Sequence, residues 1–184
     1  FLFFLMILQP PRSTLSPDAA LIRAVTTQSL TSFMSDETRE SAQTALSFLR
    51  SNAGEFGIAE DFFKNADVHI HFPSGAIAKD GPSAGITIFA ALLSLLTKKP
   101  ARRDVALTGE MTLTGRILAV SGLREKILAA RRAGVQLVLL PQTNQEEVES
   151  LQADVLEGIR LQLVANASEI IEPLFTRPAY ILTA

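Results

Sequence analysis

The 184-residue chain has no cysteine and only two histidines, His69 and His71. It can therefore form neither a disulfide nor a thiolate metal site, which is compatible with a reducing compartment. Two histidines fall short of a common zinc site, so a metal centre would also need a carboxylate such as Asp80. We expect no metal site, and we therefore regard a metallohydrolase built on the two histidines as less favoured than the two hypotheses given at the end of this section.

An excess of charge and a long apolar run are lacking as well. The 17 basic and 19 acidic side chains give a net charge of -2 without a basic stripe that carries aromatic residues, so we expect no nucleic-acid partner. The apolar run from Phe1 to Leu8 is far shorter than the roughly 20 residues of a membrane span, and no basic residues precede it. We interpret the run as a buried strand or a boundary remnant, and we expect no membrane association. Because the chain opens on Phe rather than Met, we expect a fragment or a processed product.

The length and an apolar content of 47% predict one globular domain. Residues 1–34 form a segment of uncertain structure that could contain strands, and residues 35–184 form the main part. Helical spacing in the main part predicts helices at 36–52, 83–97, 122–133, 144–151 and 168–174. Apolar or alternating runs predict strands at 67–72, 104–108, 116–120, 135–140 and 159–164. This alternation is typical of an α/β or mixed α+β fold, and the helix at 83–97 is apolar on nearly every face, so we expect it to be central and buried.

The motif GPSAG at residues 81–85 places Ser83 in the G-x-S-x-G pattern of a hydrolase nucleophile elbow. An α/β-hydrolase, however, needs a histidine after its serine, and both histidines precede Ser83. The motif is equally compatible with a helix start that has Asp80 as N-cap and Pro82 in its first turn. Such a start would place free backbone N–H groups beside Ser83, and these groups could form an oxyanion hole.

Lys126 is a candidate base for that serine. At about 100° per residue it falls on the apolar side of the predicted helix at 122–133, near Leu123 and Ala130, whereas Arg124 and Glu125 fall on the other side. A lysine in this position either extends its amine to solvent or is buried with a lowered pKa. A buried amine near a serine hydroxyl would give the Ser-Lys variant of triad chemistry.

Three further polar residues have two interpretations each. Thr108 ends the predicted strand at 104–108, where its hydroxyl could orient the lysine amine or only cap a turn. His69 and His71 share one face of the predicted strand at 67–72, and they could line a groove beside Ser83 or simply face solvent. The sequence contains neither of the glycine-rich phosphate-binding motifs G-x-x-x-x-G-K-[ST] and G-x-G-x-x-G. Any dependence on a nucleotide must therefore come from outside these residues.

Four segments carry a resemblance to a known family: ESAQTALSFLRS from Glu40, VHIHFPSGAIAKDGPSAGIT from Val68, ALTGEMTLTGRILAVSGLREKILAARRAG from Ala106 and VLLPQTN from Val138. They resemble the proteolytic domain of the Lon family of ATP-dependent serine proteases, and with their connections they span most of residues 36–175. The resemblance implies a Lon-type fold and a catalytic Ser83-Lys126 dyad. It also implies that Thr108 lies near the lysine, and that Asp80, His69 and His71 shape the surroundings of the site.

The family resemblance further implies endopeptidase activity on unfolded polypeptides within a six-membered ring in the cytoplasm or the mitochondrial matrix, as part of protein quality control. It implies no cofactor in this chain, since ATP and Mg²⁺ would bind an AAA+ module outside these residues. Ala78 stands where the family motif commonly has proline, and Ser121 stands where a glycine is more usual. Residues 1–34 also lack the expected glycine-rich segment. The alternative hypothesis is therefore a non-catalytic ring-forming or adaptor domain with an unformed active site.

Overall fold

The computed structural model describes residues 6–7, 36–59, 61–65, 68, 70 and 83–175. The helices are α1 (Asp36–Ser51), α2 (Phe62–Asn65), α3 (Gly85–Thr97), α4 (Leu123–Arg132), α5 (Gln145–Glu149), α6 (Ala153–Leu156) and α7 (Ile171–Phe175). Two 3-10 turns cover Gln142–Asn144 and Ala167–Ile170. The strands are β1 (Met6–Ile7), β2 (Val105–Leu107), β3 (Glu110–Met111), β4 (Ile117–Leu118), β5 (Leu137–Pro141) and β6 (Arg160–Val164).

The main sheet has the order β1-β2-β5-β6. Strands β2, β5 and β6 run parallel, with Ala106 opposite Val138 and Val138 opposite Leu161, while β1 pairs antiparallel with β2. Strands β3 and β4 form a separate antiparallel pair. Because β2, β5 and β6 are parallel, the residues that follow each of them lie along one edge of the sheet, which we call the carboxyl edge.

Side chains of β2 and β5 alternate between two apolar cores, as expected when successive residues point to opposite faces. The larger core contains Val105, Leu107, Leu137 and Leu139 together with residues of α1 and α3. The smaller core contains Ala106, Val138 and Leu140 together with residues of α4. All five residues of β5 are buried, as expected for a continuous apolar strand that is covered on both faces.

Helix α3 is the centre of the larger core. Its residues from Gly85 to Leu93 are buried, and only the last turn reaches the surface. The ring of Phe89 is fully buried, with its centroid 5.6 Å from that of Phe48 and 5.5 Å from that of Phe56. The expectation of a central helix at 83–97 is therefore confirmed, although the helix begins two residues later than predicted.

The structure confirms the mixed α/β class and corrects several boundaries. The predicted helix at 144–151 is a 3-10 turn followed by the shorter α5, and the helix predicted at 168–174 is likewise a 3-10 turn continued by α7. No periodic pattern predicted α2, α6 and β3, because each is only a few residues long. At the predicted strand 67–72 the structure describes only Val68 and Ile70, and neither lies in a strand.

Within residues 1–34 the structure describes one short strand, at Met6–Ile7. The rest of that segment lies outside the described residues. In the described part of the chain, none of the helices is both long enough and apolar enough to cross a membrane.

Candidate active site

The starts of α3 and α4 lie at the carboxyl edge because each helix runs antiparallel to the strand that follows it. Each helix is followed by a short connection into the amino end of a parallel strand, α3 into β2 and α4 into β5. Each helix must therefore begin near the opposite end of its strand. A hydrogen bond confirms this for α3, since the backbone N–H of Ile86 donates to the carbonyl of Gly109, 3.2 Å away and just beyond β2.

Ser83 is half-buried and lies two residues before the start of α3 at Gly85. Ala84 is the N-cap of this helix and provides no side-chain cap, so the alternative with Asp80 as N-cap and Pro82 in the first turn is wrong. The small residues of GPSAG do allow close packing. A Cβ atom added to Gly85 would lie 2.9 Å from the backbone nitrogen of Met111, so β3 approaches the helix start too closely for any larger residue.

Lys126 lies one turn into α4 and is only 4% exposed. Its helical neighbours Leu123, Ile127 and Ala130 are buried as well, which confirms the prediction that the lysine belongs to the apolar face. Burial lowers the pKa of Lys126 from its usual 10.5, because the charged ammonium loses solvation, while the nearby carboxylate of Glu147 acts in the opposite direction. The sequence left two alternatives open for this lysine, extension to solvent or burial with a lowered pKa. In the structure the lysine is buried.

Thr108 follows β2 at the carboxyl edge and is 1% exposed. Its backbone N–H donates to the carbonyl of Leu139, 3.2 Å away on β5, which fixes its position on the sheet. Its hydroxyl Oγ1 forms no hydrogen bond with any residue that the structure describes. A buried hydroxyl without a partner costs about 1–3 kcal/mol, so it is an unusual feature that needs an explanation.

Three polar residues at this edge were not identified as site residues by the sequence analysis. Glu110 is half-buried and accepts a hydrogen bond from the hydroxyl of Ser41 on α1, at 2.6 Å. Asn144 and Glu147 follow β5 and bind the residues around the start of α4. A polar residue shortly after a buried strand was the available signal for Asn144, since β5 ends at Pro141.

The remaining predicted site residues are His69, His71 and Asp80, and all three lie outside the described residues. Among the residues that are described, no group of three or more histidine, aspartate and glutamate side chains is arranged to hold a metal ion. The structure thus brings Ser83, Thr108 and the start of the Lys126 helix to one edge of the sheet.

Comparison with known proteins gives consistent matches. Residues 12–177 match the family model of the Lon protease (S16) C-terminal proteolytic domain. The chain is 50% identical over 149 residues to the Lon protease of Heliobacterium modesticaldum, covering 81% of this chain and 18% of that protein. It is 52% identical over 149 residues to the Lon protease of Aquifex aeolicus, covering 80% of this chain and 19% of that protein. The chain therefore spans about a fifth of the length of these relatives.

Proposed function

Since the chain belongs to the Lon protease family and matches its C-terminal proteolytic domain, we propose that it is a serine endopeptidase with Ser83 as nucleophile and Lys126 as base. In this reaction the neutral amine of Lys126 takes the proton of the Ser83 hydroxyl as its oxygen attacks the peptide carbonyl. The proton then passes to the leaving amine, and an acyl-enzyme remains on Ser83. A water molecule, deprotonated by Lys126, hydrolyses the ester, and the proton returns to Ser83.

The observation that carries this proposal is the buried Lys126 with its lowered pKa. Each unit by which the pKa falls raises the neutral fraction of the amine about tenfold at neutral pH. A lysine that served only as a surface charge would have no reason to be buried among Leu123, Ile127 and Ala130. We therefore assign it the role of a general base that needs no histidine.

Thr108 supports the same assignment. Its hydroxyl is buried and lacks a partner among the described residues. A hydroxyl can accept a hydrogen bond from a neutral amine and so orient its lone pair. The amine of Lys126 is not bonded to Thr108 in the structure. We propose that the bond to Thr108 Oγ1 forms when the amine turns toward this hydroxyl, which would also remove the cost of its isolation.

The oxyanion hole would be formed by backbone N–H groups beside Ser83, since the first amides of a helix have no partner within it. The amide of Ile86 is excluded, because it donates to the carbonyl of Gly109. We therefore assign the oxyanion donors to the amides nearer to Ser83, before Ile86.

The finer features of the protease are proposals that rest on family membership. We propose that the substrates are unfolded polypeptides and that the chain works in a cytoplasmic six-membered ring. ATP and Mg²⁺ would be bound by an AAA+ module outside this chain, which spans about a fifth of the length of its relatives. His69, His71 and Asp80 would shape the surroundings of Ser83 and Lys126 without taking part in bond making.

Peptide hydrolysis measured against pH tests the dyad. Ser83→Ala and Lys126→Ala should each abolish turnover, whereas the control variants Ser94→Ala and Lys99→Ala, which change the same residue types near the far end of α3, should retain it. In the wild type, kcat/KM should rise with pH through the lowered pKa of Lys126, because the neutral amine is the active form. Turnover retained by Ser83→Ala or by Lys126→Ala would refute the dyad.

Labelling of Ser83 by a fluorophosphonate separates the protease from the non-catalytic alternative. A working dyad should label the wild type but not Ser83→Ala, and labelling should fall in Lys126→Ala. A wild type that fails to label at alkaline pH and high protein concentration would instead favour the adaptor domain.

A further inference from the structure

Asn144 makes three hydrogen bonds from a position shortly after β5. It is a buried polar residue, with 6% of its surface exposed. Its Oδ1 accepts from the backbone N–H of Val120 at 3.0 Å, and its Nδ2 donates to the carbonyl of Val120 at 2.8 Å. One side chain therefore satisfies both backbone groups of a single residue, much as a neighbouring strand would. This fixes the segment that leads into α4 to the carboxyl end of β5.

Glu147 continues this network toward the helix that carries Lys126. Its Oε2 accepts a hydrogen bond from Nδ2 of Asn144 at 2.9 Å, and its Oε1 accepts a longer one, 3.4 Å, from the backbone N–H of Leu123. Gly122 is the N-cap of α4 and has no side chain to offer that amide. A carboxylate from α5 therefore accepts from one of the amides that have no partner within the helix, where the positive end of the helix dipole favours negative charge.

The network connects the proposed base to the same strand that holds Thr108. The backbone N–H of Lys126 donates to the carbonyl of Gly122 at 3.2 Å, so the position of the lysine follows that of the α4 start. Asn144 ties this start to the end of β5, while Thr108 is tied to β5 through Leu139. We propose that Asn144 and Glu147 are positioning residues, which hold the amine of Lys126 in line with the Thr108 hydroxyl.

This inference rests on the proposed function, and it has an electrostatic consequence. The carboxylate of Glu147 stabilises the ammonium form of Lys126 and so limits the fall of its pKa. Among the other charged side chains of α4, α5 and α6, Arg131 is half-buried and donates to the backbone carbonyls of Asp154 and Val155. The remaining ones are exposed, namely Arg124, Glu125, Arg132, Glu146, Glu149 and Asp154. Glu147 is therefore the charge through which this network acts on the base.

Glu147→Gln tests the electrostatic role directly, because it removes the charge and keeps one oxygen as an acceptor. We expect the ascending limb of the kcat/KM profile to move to lower pH by about half a unit to one unit. Glu149→Gln is the matched control, since it makes the same change on the exposed part of α5 and should leave the profile in place. A limb that does not move in Glu147→Gln would overturn this role.

Asn144→Ala tests positioning. We expect kcat to fall by about 10- to 100-fold with KM nearly unchanged, at a temperature where circular dichroism shows the variant to be folded. Wild-type kcat in this folded variant would overturn the positioning role. Should Asn144→Ala fail to fold, the pH profile of Glu147→Gln decides the inference.

An NMR titration of the Lys126 side chain in a Ser83→Ala background separates this inference from the proposed function. Adding Glu147→Gln to that background should lower the pKa of Lys126, whether or not the chain is a protease. An unchanged pKa would overturn the inference and leave the dyad intact. Wild-type turnover that survives Ser83→Ala would refute the proposed function while the titration still reports on the network.

Discussion

Replacing Lys126 with methionine should abolish activity and yet stabilise the protein at neutral pH. The lysine is almost fully buried, and burial lowers its pKa from 10.5. In the unfolded chain its pKa is the ordinary one, so between the two pKa values the unfolded state binds more protons than the folded state. The free energy of unfolding of the wild type therefore rises with pH across that window, and below the folded pKa the full cost of the buried charge is present.

The size of the effect follows from the pKa difference. Each unit by which the pKa of Lys126 is lowered corresponds to about 1.4 kcal/mol of lost stability at pH values below the folded pKa. Methionine carries no charge and has a similar length, and exchange between apolar side chains of similar volume usually costs less than about 1.5 kcal/mol. A pKa lowered by more than about one unit should thus outweigh any loss of packing.

Urea unfolding of Lys126→Met and the wild type at a series of pH values from 7 to above 10 measures this difference. The variant should be more stable at pH 7, and its advantage should shrink as the pH rises toward 10.5. Lys99→Met is the control, because Lys99 is exposed and the same substitution there should change stability little. A variant that is less stable at pH 7, by a margin that does not depend on pH, would refute the description of Lys126 as a buried lysine with a lowered pKa.

Two glycine substitutions should reveal close contacts that hold the site. Gly85→Ala should lower the free energy of unfolding by about 1–3 kcal/mol, because the new Cβ would lie 2.9 Å from Cδ of Glu110, and this outweighs the roughly 1 kcal/mol by which alanine is the better helix residue. Gly115→Ala should also cost about 1–3 kcal/mol, since φ is +80° and Cζ of Phe48 would be 2.6 Å away. Urea unfolding measures both, with Gly54→Ala as the control, because nothing lies within 4 Å of its new Cβ. Equal stability of all three variants would contradict the contacts.

The buried face of α4 could be predicted from the sequence because it depends on a local period. Counting residues around the helix placed Lys126 with Leu123 and Ala130, and the structure has all three buried. The apolar run of β5 was equally clear, since a strand covered on both faces needs no polar alternation. Such patterns allow a correct prediction because each depends on residues that are close together in the chain.

The start of α3 could not be predicted as well, because its determinants are distant in sequence. One interpretation of the motif made Asp80 the N-cap, and the apolar spacing predicted a helix from Ser83, whereas the helix begins at Gly85. The amide of Ile86 bonds to Gly109, far along the chain. Tertiary hydrogen bonds of this kind leave no periodic trace in the sequence, and the same reason explains why the link from Asn144 to Val120 was missed.

The proposed site is divided between the two cores, and this division has a consequence for mutations. Ser83 precedes a helix of the larger core, while Lys126 belongs to a helix of the smaller core, with β2 and β5 between them. A cavity in either core would therefore shift one member of the dyad relative to the other. Packed interiors relax only partly around a cavity. Large-to-small substitutions on either face of the sheet should therefore change the distance between the Ser83 hydroxyl and the Lys126 amine, and so lower kcat. The pKa of Lys126 should respond only to changes in the smaller core and at Glu147, so a pH profile can tell on which side of the sheet a defect lies.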